Sequence, residues 1–163
     1  MNFISITQYF NKLHSALFAL MIVPLLLFIA LYFLLPEMPP VPRTEYFILR
    51  EYCIMIVSAV LVAWLMATII FNKKIKSARN EQGLGAKLDK YFQITIVRYR
   101  LLSTASLLMA FGLYLTRSDI FSGLYLAGLI VSAVLWPTGR KVTHDLRLKG
   151  DEREMVYFKK DAF

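Results

Sequence analysis

His144 and Asp145 stand side by side near the end of the chain, and an imidazole next to a carboxylate is a pair that proton-transfer chemistry uses. With Asp89, Arg98, Arg100 and Arg140 they form the one set of side chains able to converge on a lipid headgroup at a membrane rim. Nothing else in the chain extends that chemistry. No Ser-His-Asp or Cys-His arrangement is legible, and adjacency within a charged tail reads first as a solvated pair. His14 and His144 lie far apart without a cysteine or carboxylate cluster, so no metal site is expected. Cys53 is the single cysteine, which excludes an intramolecular disulfide. The glycines of Gly83-Leu84-Gly85 lack the strand and the lysine that would make a phosphate loop. No cofactor is expected, and the chain reads as non-enzymatic.

The remaining polar chemistry is positive charge. Residues 72–100 carry Lys73, Lys74, Lys76, Arg79, Lys87, Lys90, Arg98 and Arg100 against only Glu81 and Asp89. The net charge of +8 raises the question of nucleic acid. That reading is rejected, because the basic residues flank long apolar runs and do not form one soluble basic face. Hydrophobic residues make up 58% of the chain, above the 45–50% usual for a soluble domain. The elements that must position these charges are therefore membrane helices, and the expected ligands of the basic residues are anionic headgroups.

Four spans are expected, near 14–35, 52–71, 97–116 and 120–136, in an all-α antiparallel bundle forming a single membrane domain. Residues 1–13 read as an amphipathic lead to an uncleaved anchor. The first span carries Pro24, where a kink is expected. The loop at 36–51 holds Pro36, Pro39, Pro40 and Pro42, which forbid helix, and Tyr46 and Phe47, which suit an interfacial belt. Trp64 sits deep in the second span and needs a partner for its N–H if buried. A polar segment, 72–96, follows as two helical arms around Gly83-Leu84-Gly85, the second arm running straight into the third span. That span is apolar only from Leu101 to Thr116, about 24 Å, so Arg98 and Arg100 are expected to stretch outward to headgroups. Residues 117–119 form a tight turn, with Ser118 or Asp119 capping the next helix. Trp136 marks the interface, and Pro137 with Gly139 ends the fourth span. The tail, 138–163, reads as two short amphipathic helices broken at Gly150, the second capped by Asp151.

Small residues mark the packing faces. Ala59, Ala63 and Ala67 recur every four positions in the second span. Ser106 and Ala110 share a face of the third, with Ser103. Gly123 with Ala127, and Gly128 with Ser132, pair in the fourth. Such faces let helices approach closely, within one chain or between copies.

Sixteen of the nineteen lysines and arginines fall on one side of this topology. The positive-inside rule then puts both termini and the basic segment in the cytoplasm, with the chain in the inner membrane. Shifted by 82 positions, the first and third spans share residues such as Tyr9 with Tyr91 and Phe10 with Phe92, hinting at a duplicated hairpin. No Asp, Glu, Lys or Arg falls at mid-span, which argues against a proton-coupled pump.

Two stretches carry a family resemblance: Lys87–Thr116, and Trp136-Pro137-Thr138 followed by Asp145-Leu146-Arg147-Leu148 and Glu152-Arg153. Together they are similar to uncharacterised small four-helix bacterial inner-membrane proteins. The resemblance implies the fold and location already read from the residues, and brings no activity. The expected function is an accessory or scaffold subunit of a larger membrane complex. It would bind other membrane proteins, or further copies of itself, through its small-residue faces. The basic rim contributes Lys73, Lys74, Lys76, Arg98, Arg100, Arg140 and Lys141. Two alternatives stand beside it. An oligomeric channel or transporter would line a path with Ser103, Thr104, Ser106 and Ser132. A lipid-headgroup-modifying enzyme would build a pocket around His144 and Arg100.

Overall fold

A computed structural model describes residues 5–35 and 46–158, the latter with side chains from residue 49 onward. Residues 1–4 of the amphipathic lead, the proline-rich stretch 36–45, the side chains of the belt residues Tyr46 and Phe47, and the tail from 159 lie outside the described residues. What is described is all-helical, without a strand. The elements are α1 (Ile6–Leu34), α2 (Tyr46–Arg79), α3 (Leu84–Thr116), α4 (Ile120–Val134), α5 (Gly139–Leu146) and α6 (Gly150–Phe158). By length and composition α1, residues 49–79 and α3 can each cross a membrane. At 15 residues, about 22 Å, α4 is too short alone. It qualifies only together with α5, to which it is joined at a 75° bend.

The helix ends follow local chemistry. Ser5 caps α1 by accepting from the Gln8 amide at 3.1 Å. The helix then runs through Pro24, which is buried within it. Gly83, at φ 84°, takes the positive backbone angle that turns α2 into α3. Arg117 closes α3 in the left-handed conformation, its amide donating to the Leu113 carbonyl at 2.9 Å. Thr138 caps α5 by accepting from the Lys141 amide.

Helix α3 is the hub, and α1, α2 and α4 each pack on it. Where the chain is polar, α2 and α3 extend together as a hairpin past the apolar runs. The start of α1, and then α5 and α6, fold against that extension. The resulting core holds Tyr9, Phe10, Leu13, Phe71, Ile75, Tyr91, Tyr99, Val142, Leu146 and Val156. A second core, around Phe28, Val60, Met109, Leu113 and Phe121, fills the apolar half. Two glycines set its spacing. A Cβ on Gly112 would lie 2.4 Å from the Phe121 ring, so α4 seats that ring directly on the backbone of α3. A Cβ on Gly128 would lie 3.1 Å from the Trp64 ring, which brings α4 toward α2 as well.

Several expectations need correction. Helix α2 begins by Tyr46, so 46–51 is helix and not loop. Asp119 holds the cap position of α4 but makes no side-chain capping bond, since main-chain turns close that end. Gly139 does not end a helix but begins α5, because Pro137 and the 75° bend separate it from α4. The break in the tail runs over 147–149, from Arg147 at φ 54° to Gly150, itself at φ 54°, which opens α6 as expected; Asp151 lies inside α6 and not at its cap.

Candidate functional site

The polar end of the molecule separates its charges. Arg140, His144 and Arg147 recur at i, i+4 and i+7 on one face of the α5 segment, while Val142 and Leu146 take the opposite face into the core. Arg153 and Tyr157 recur at i and i+4 on α6. The left-handed turn at Arg147 folds α6 back beside α5, so the two polar faces flank one cleft. Gly139 makes this approach possible, since a Cβ there would lie 2.9 Å from the main-chain oxygen of Val156. Arg79, the last residue of α2, closes the third side. Its Nε donates to the Asp145 carbonyl at 2.7 Å, which fixes the guanidinium over the end of α5.

The cleft has a volume of about 770 Å³ and is lined by Arg79, Arg140, His144, Arg147, Lys149 and Arg153, with Thr143, Leu148 and Tyr157. No carboxylate among the described residues lines it. Two of the nearby acids are engaged elsewhere. Asp145 Oδ2 accepts from the buried Tyr91 hydroxyl at 3.0 Å. Glu152 pairs with Lys87 of α3 at 2.7 Å. These contacts turn a tail of mixed charge into a cleft of one sign.

The sequence-predicted residues scatter around this site. Of the basic seven, only Arg140 lines the cleft. Lys73, Lys74 and Lys76 are exposed along α2, and Arg100 is exposed on α3. Lys141 donates to the Val134 carbonyl at 3.0 Å, bridging the bend between α4 and α5. Burial lowers its pKa, while Asp145 opposes that shift and Arg98 adds to it. Arg98 corrects an expectation outright. It does not stretch to solvent but is buried, its guanidinium 4.3 Å from the centre of the Phe71 ring and its Nε without a hydrogen-bond partner.

The His144–Asp145 pair offers no acid–base couple. The two lie 3.7 Å apart, beyond hydrogen-bond length, with His144 almost fully exposed and Asp145 committed to Tyr91. The wider headgroup set also disperses, leaving only Arg140 and His144 in the cleft. His14 has a structural partner, its Nε2 lying 3.0 Å from the Pro137 carbonyl beside the Trp136 ring. Among the described residues no three His, Cys, Asp or Glu side chains gather to hold a metal ion.

The small residues divide. Ala67, Ser106, Ala110, Gly128 and Ser132 are buried between helices, and Ala63 is half-buried. Ala59, Gly123 and Ala127 face outward. The hydroxyls proposed for a polar path are spent on main-chain carbonyls. Ser103 donates to Leu20, Thr104 to Arg100, Ser106 to Leu102 and Ser132 to Gly128, at 2.8–3.0 Å. Each hydroxyl proton is thus committed to a helix carbonyl.

Arg79, Arg147, Lys149 and Arg153 stand outside the set that the sequence assigns to the basic rim. The signal available was the spacing of Arg140, His144 and Arg147, opposite the apolar Val142 and Leu146. No family model, no curated protein and no solved structure matches the chain.

Proposed function

We propose that the chain is a non-catalytic integral membrane protein, an accessory subunit that holds an anionic partner or lipid at the membrane surface. In this reading α1, α2, α3 and α4 are four spans of an antiparallel bundle in a cytoplasmic (inner) membrane. The fourth span is completed by the residues that lead into α5. Both termini and the α2–α3 hairpin face the cytoplasm, as the lopsided distribution of lysine and arginine implies. The observation that carries the reading is the basic cleft, whose lining has no carboxylate among the described residues and beside which Asp145 and Glu152 are held by α3 side chains. A solvated charged face would keep its signs mixed. A recognition surface for anions gains from separating them.

The outward-facing Gly123 and Ala127 on α4 give the bundle a smooth side against which another membrane helix can pack. The experiment is purification of the tagged protein in mild detergent, followed by mass measurement of the intact assembly. A stoichiometric membrane partner, or a defined homo-oligomer, is expected. A clean monomer that carries nothing refutes the subunit role.

A further inference from the structure

The geometry points to the cleft of Arg79, Arg140, Arg147, Lys149 and Arg153 as a binding site for a phosphomonoester or diphosphate group, free or carried on a lipid. The inference deepens the anion-binding reading above and rests on it. Four of the five permanent cations are arginines. A guanidinium presents paired N–H groups that match two phosphate oxygens, whereas lysine offers a point charge. The four arginines come from three elements, α2, α5 with its closing turn, and α6, so their forks approach one volume from different sides. That arrangement suits a tetrahedral group with several charged oxygens better than a single planar carboxylate, which would leave most of the positive charge unneutralised.

One of the four is held in place before any ligand arrives. Arg79 spends its Nε on the Asp145 carbonyl, which holds its guanidinium plane while the two Nη groups stay outside that bond. The Asp145 carboxylate, next in sequence to His144 of the cleft, accepts from the Tyr91 hydroxyl instead. The space, about 770 Å³, exceeds a lone phosphate and admits a larger ester.

Position bears on the source of the phosphate. Arg79 lies eight residues beyond Phe71, where the apolar run of α2 ends, and so about 12 Å further along the helix axis. The headgroup layer adds about 5–7 Å to each side of the hydrocarbon. The cleft thus opens at or just above the headgroups, within reach of a projecting headgroup phosphate and of the aqueous phase.

The test uses the full-length protein purified in an uncharged detergent, with inorganic pyrophosphate titrated by calorimetry. In parallel, the protein in phosphatidylcholine nanodiscs with and without phosphatidic acid is assayed for retained lipid by native mass spectrometry. Saturable pyrophosphate binding is expected, weakened at least tenfold by Arg140→Gln with Arg153→Gln. Both residues are exposed, so their neutralisation leaves the core intact, and a thermal melt verifies this. Lys149→Gln alone gives a second, milder reading. Lys73→Gln with Lys74→Gln, which removes the same charge outside the cleft, should leave the affinity within twofold. Pyrophosphate binding without lipid retention assigns a free phosphate ligand. Phosphatidic acid retained by the wild type and lost from the Arg140/Arg153 variant assigns a lipid. The inference is overturned by no saturable binding in either arm, by citrate binding as tightly as pyrophosphate, or by equal losses from the Lys73/Lys74 control. Binding is read on the purified chain, so absence of a protein partner would sink the subunit role and leave this result standing.

Discussion

The guanidinium of Arg98 lies 4.3 Å from the centre of the Phe71 ring, and the two side chains are buried together where the apolar half of the bundle meets its polar end. A cation over an aromatic face in such a setting is stabilised by roughly 0.5–2 kcal/mol. Against this stands a buried Nε with no acceptor, a cost of about 1–3 kcal/mol. The two nearly cancel. Arg98→Met should therefore change detergent-phase thermal stability little, by less than about 1 kcal/mol. Phe71→Leu, which strips the ring and leaves the charge, should cost about 1–3 kcal/mol. In the double variant only the cation–ring part of the Phe71→Leu cost, about 0.5–2 kcal/mol, should vanish, a coupling that a double-mutant cycle measures directly. Additive losses would mean that the contact carries no energy.

Tyr91 and Asp145 make the contact that keeps the cleft free of negative charge. Tyr91→Phe deletes only the hydroxyl that Asp145 Oδ2 accepts, at 3.0 Å. The expected loss is about 1–3 kcal/mol of stability, because a half-buried carboxylate loses its donor. Thermal melting checks the loss, and Asp145→Asn should be milder, since an amide needs less solvation than a carboxylate.

Gly139 tests the α5–α6 junction. A methyl at this position meets the Val156 carbonyl at 2.9 Å, an atom of the main chain that cannot rotate aside. Gly139→Ala should push α6 off α5, at about 1–3 kcal/mol as for overpacked cores. Limited proteolysis should then cut within 147–158 faster than in the wild type. An unchanged cleavage rate would show that α6 has room to move.

How much of this was legible beforehand depends on the range of the forces involved. The turn between α2 and α3, the unbroken run of α3, and the burial of Ser106, Ala110, Gly128 and Ser132 follow from local chemistry: a glycine at positive φ and small residues four apart on one face. Arg98 was misplaced because its burial depends on Phe71, which lies far off in sequence across the α2–α3 hairpin. The cleft was hidden for a related reason. As a string, the tail shows mixed charge. Only the 75° bend after α4, the left-handed turn at Arg147 and the capture of Asp145 and Glu152 by α3 side chains sort that charge by sign.

Gly112 and Phe121 hold α4 against α3. A Cβ on Gly112 would lie 2.4–2.8 Å from three atoms of the buried Phe121 ring. Gly112→Ala should displace the ring and destabilise the fold by about 1–3 kcal/mol. Phe121→Leu, made in that background, should recover part of the loss by yielding space. Thermal melts of the three variants decide the point, and absence of any rescue would place the strain elsewhere.

Orientation is open to a labelling experiment, because the chain has only one cysteine to remove. In a Cys53→Ser background, single cysteines are placed at Lys74, exposed on the polar end of α2, and at Asp119, exposed in the turn between α3 and α4. The lysine and arginine distribution puts position 74 in the cytoplasm and position 119 across the membrane. The two sites lie near opposite ends of the α2–α3 hairpin, so each interpretation makes a different pattern. A membrane-impermeant maleimide added to intact cells should modify Asp119→Cys and spare Lys74→Cys until the cells are opened. The reverse pattern would invert the topology and carry the basic cleft to the outside. Labelling of both in intact cells would mean that α3 does not cross the bilayer at all, and the four-span bundle would fall with it.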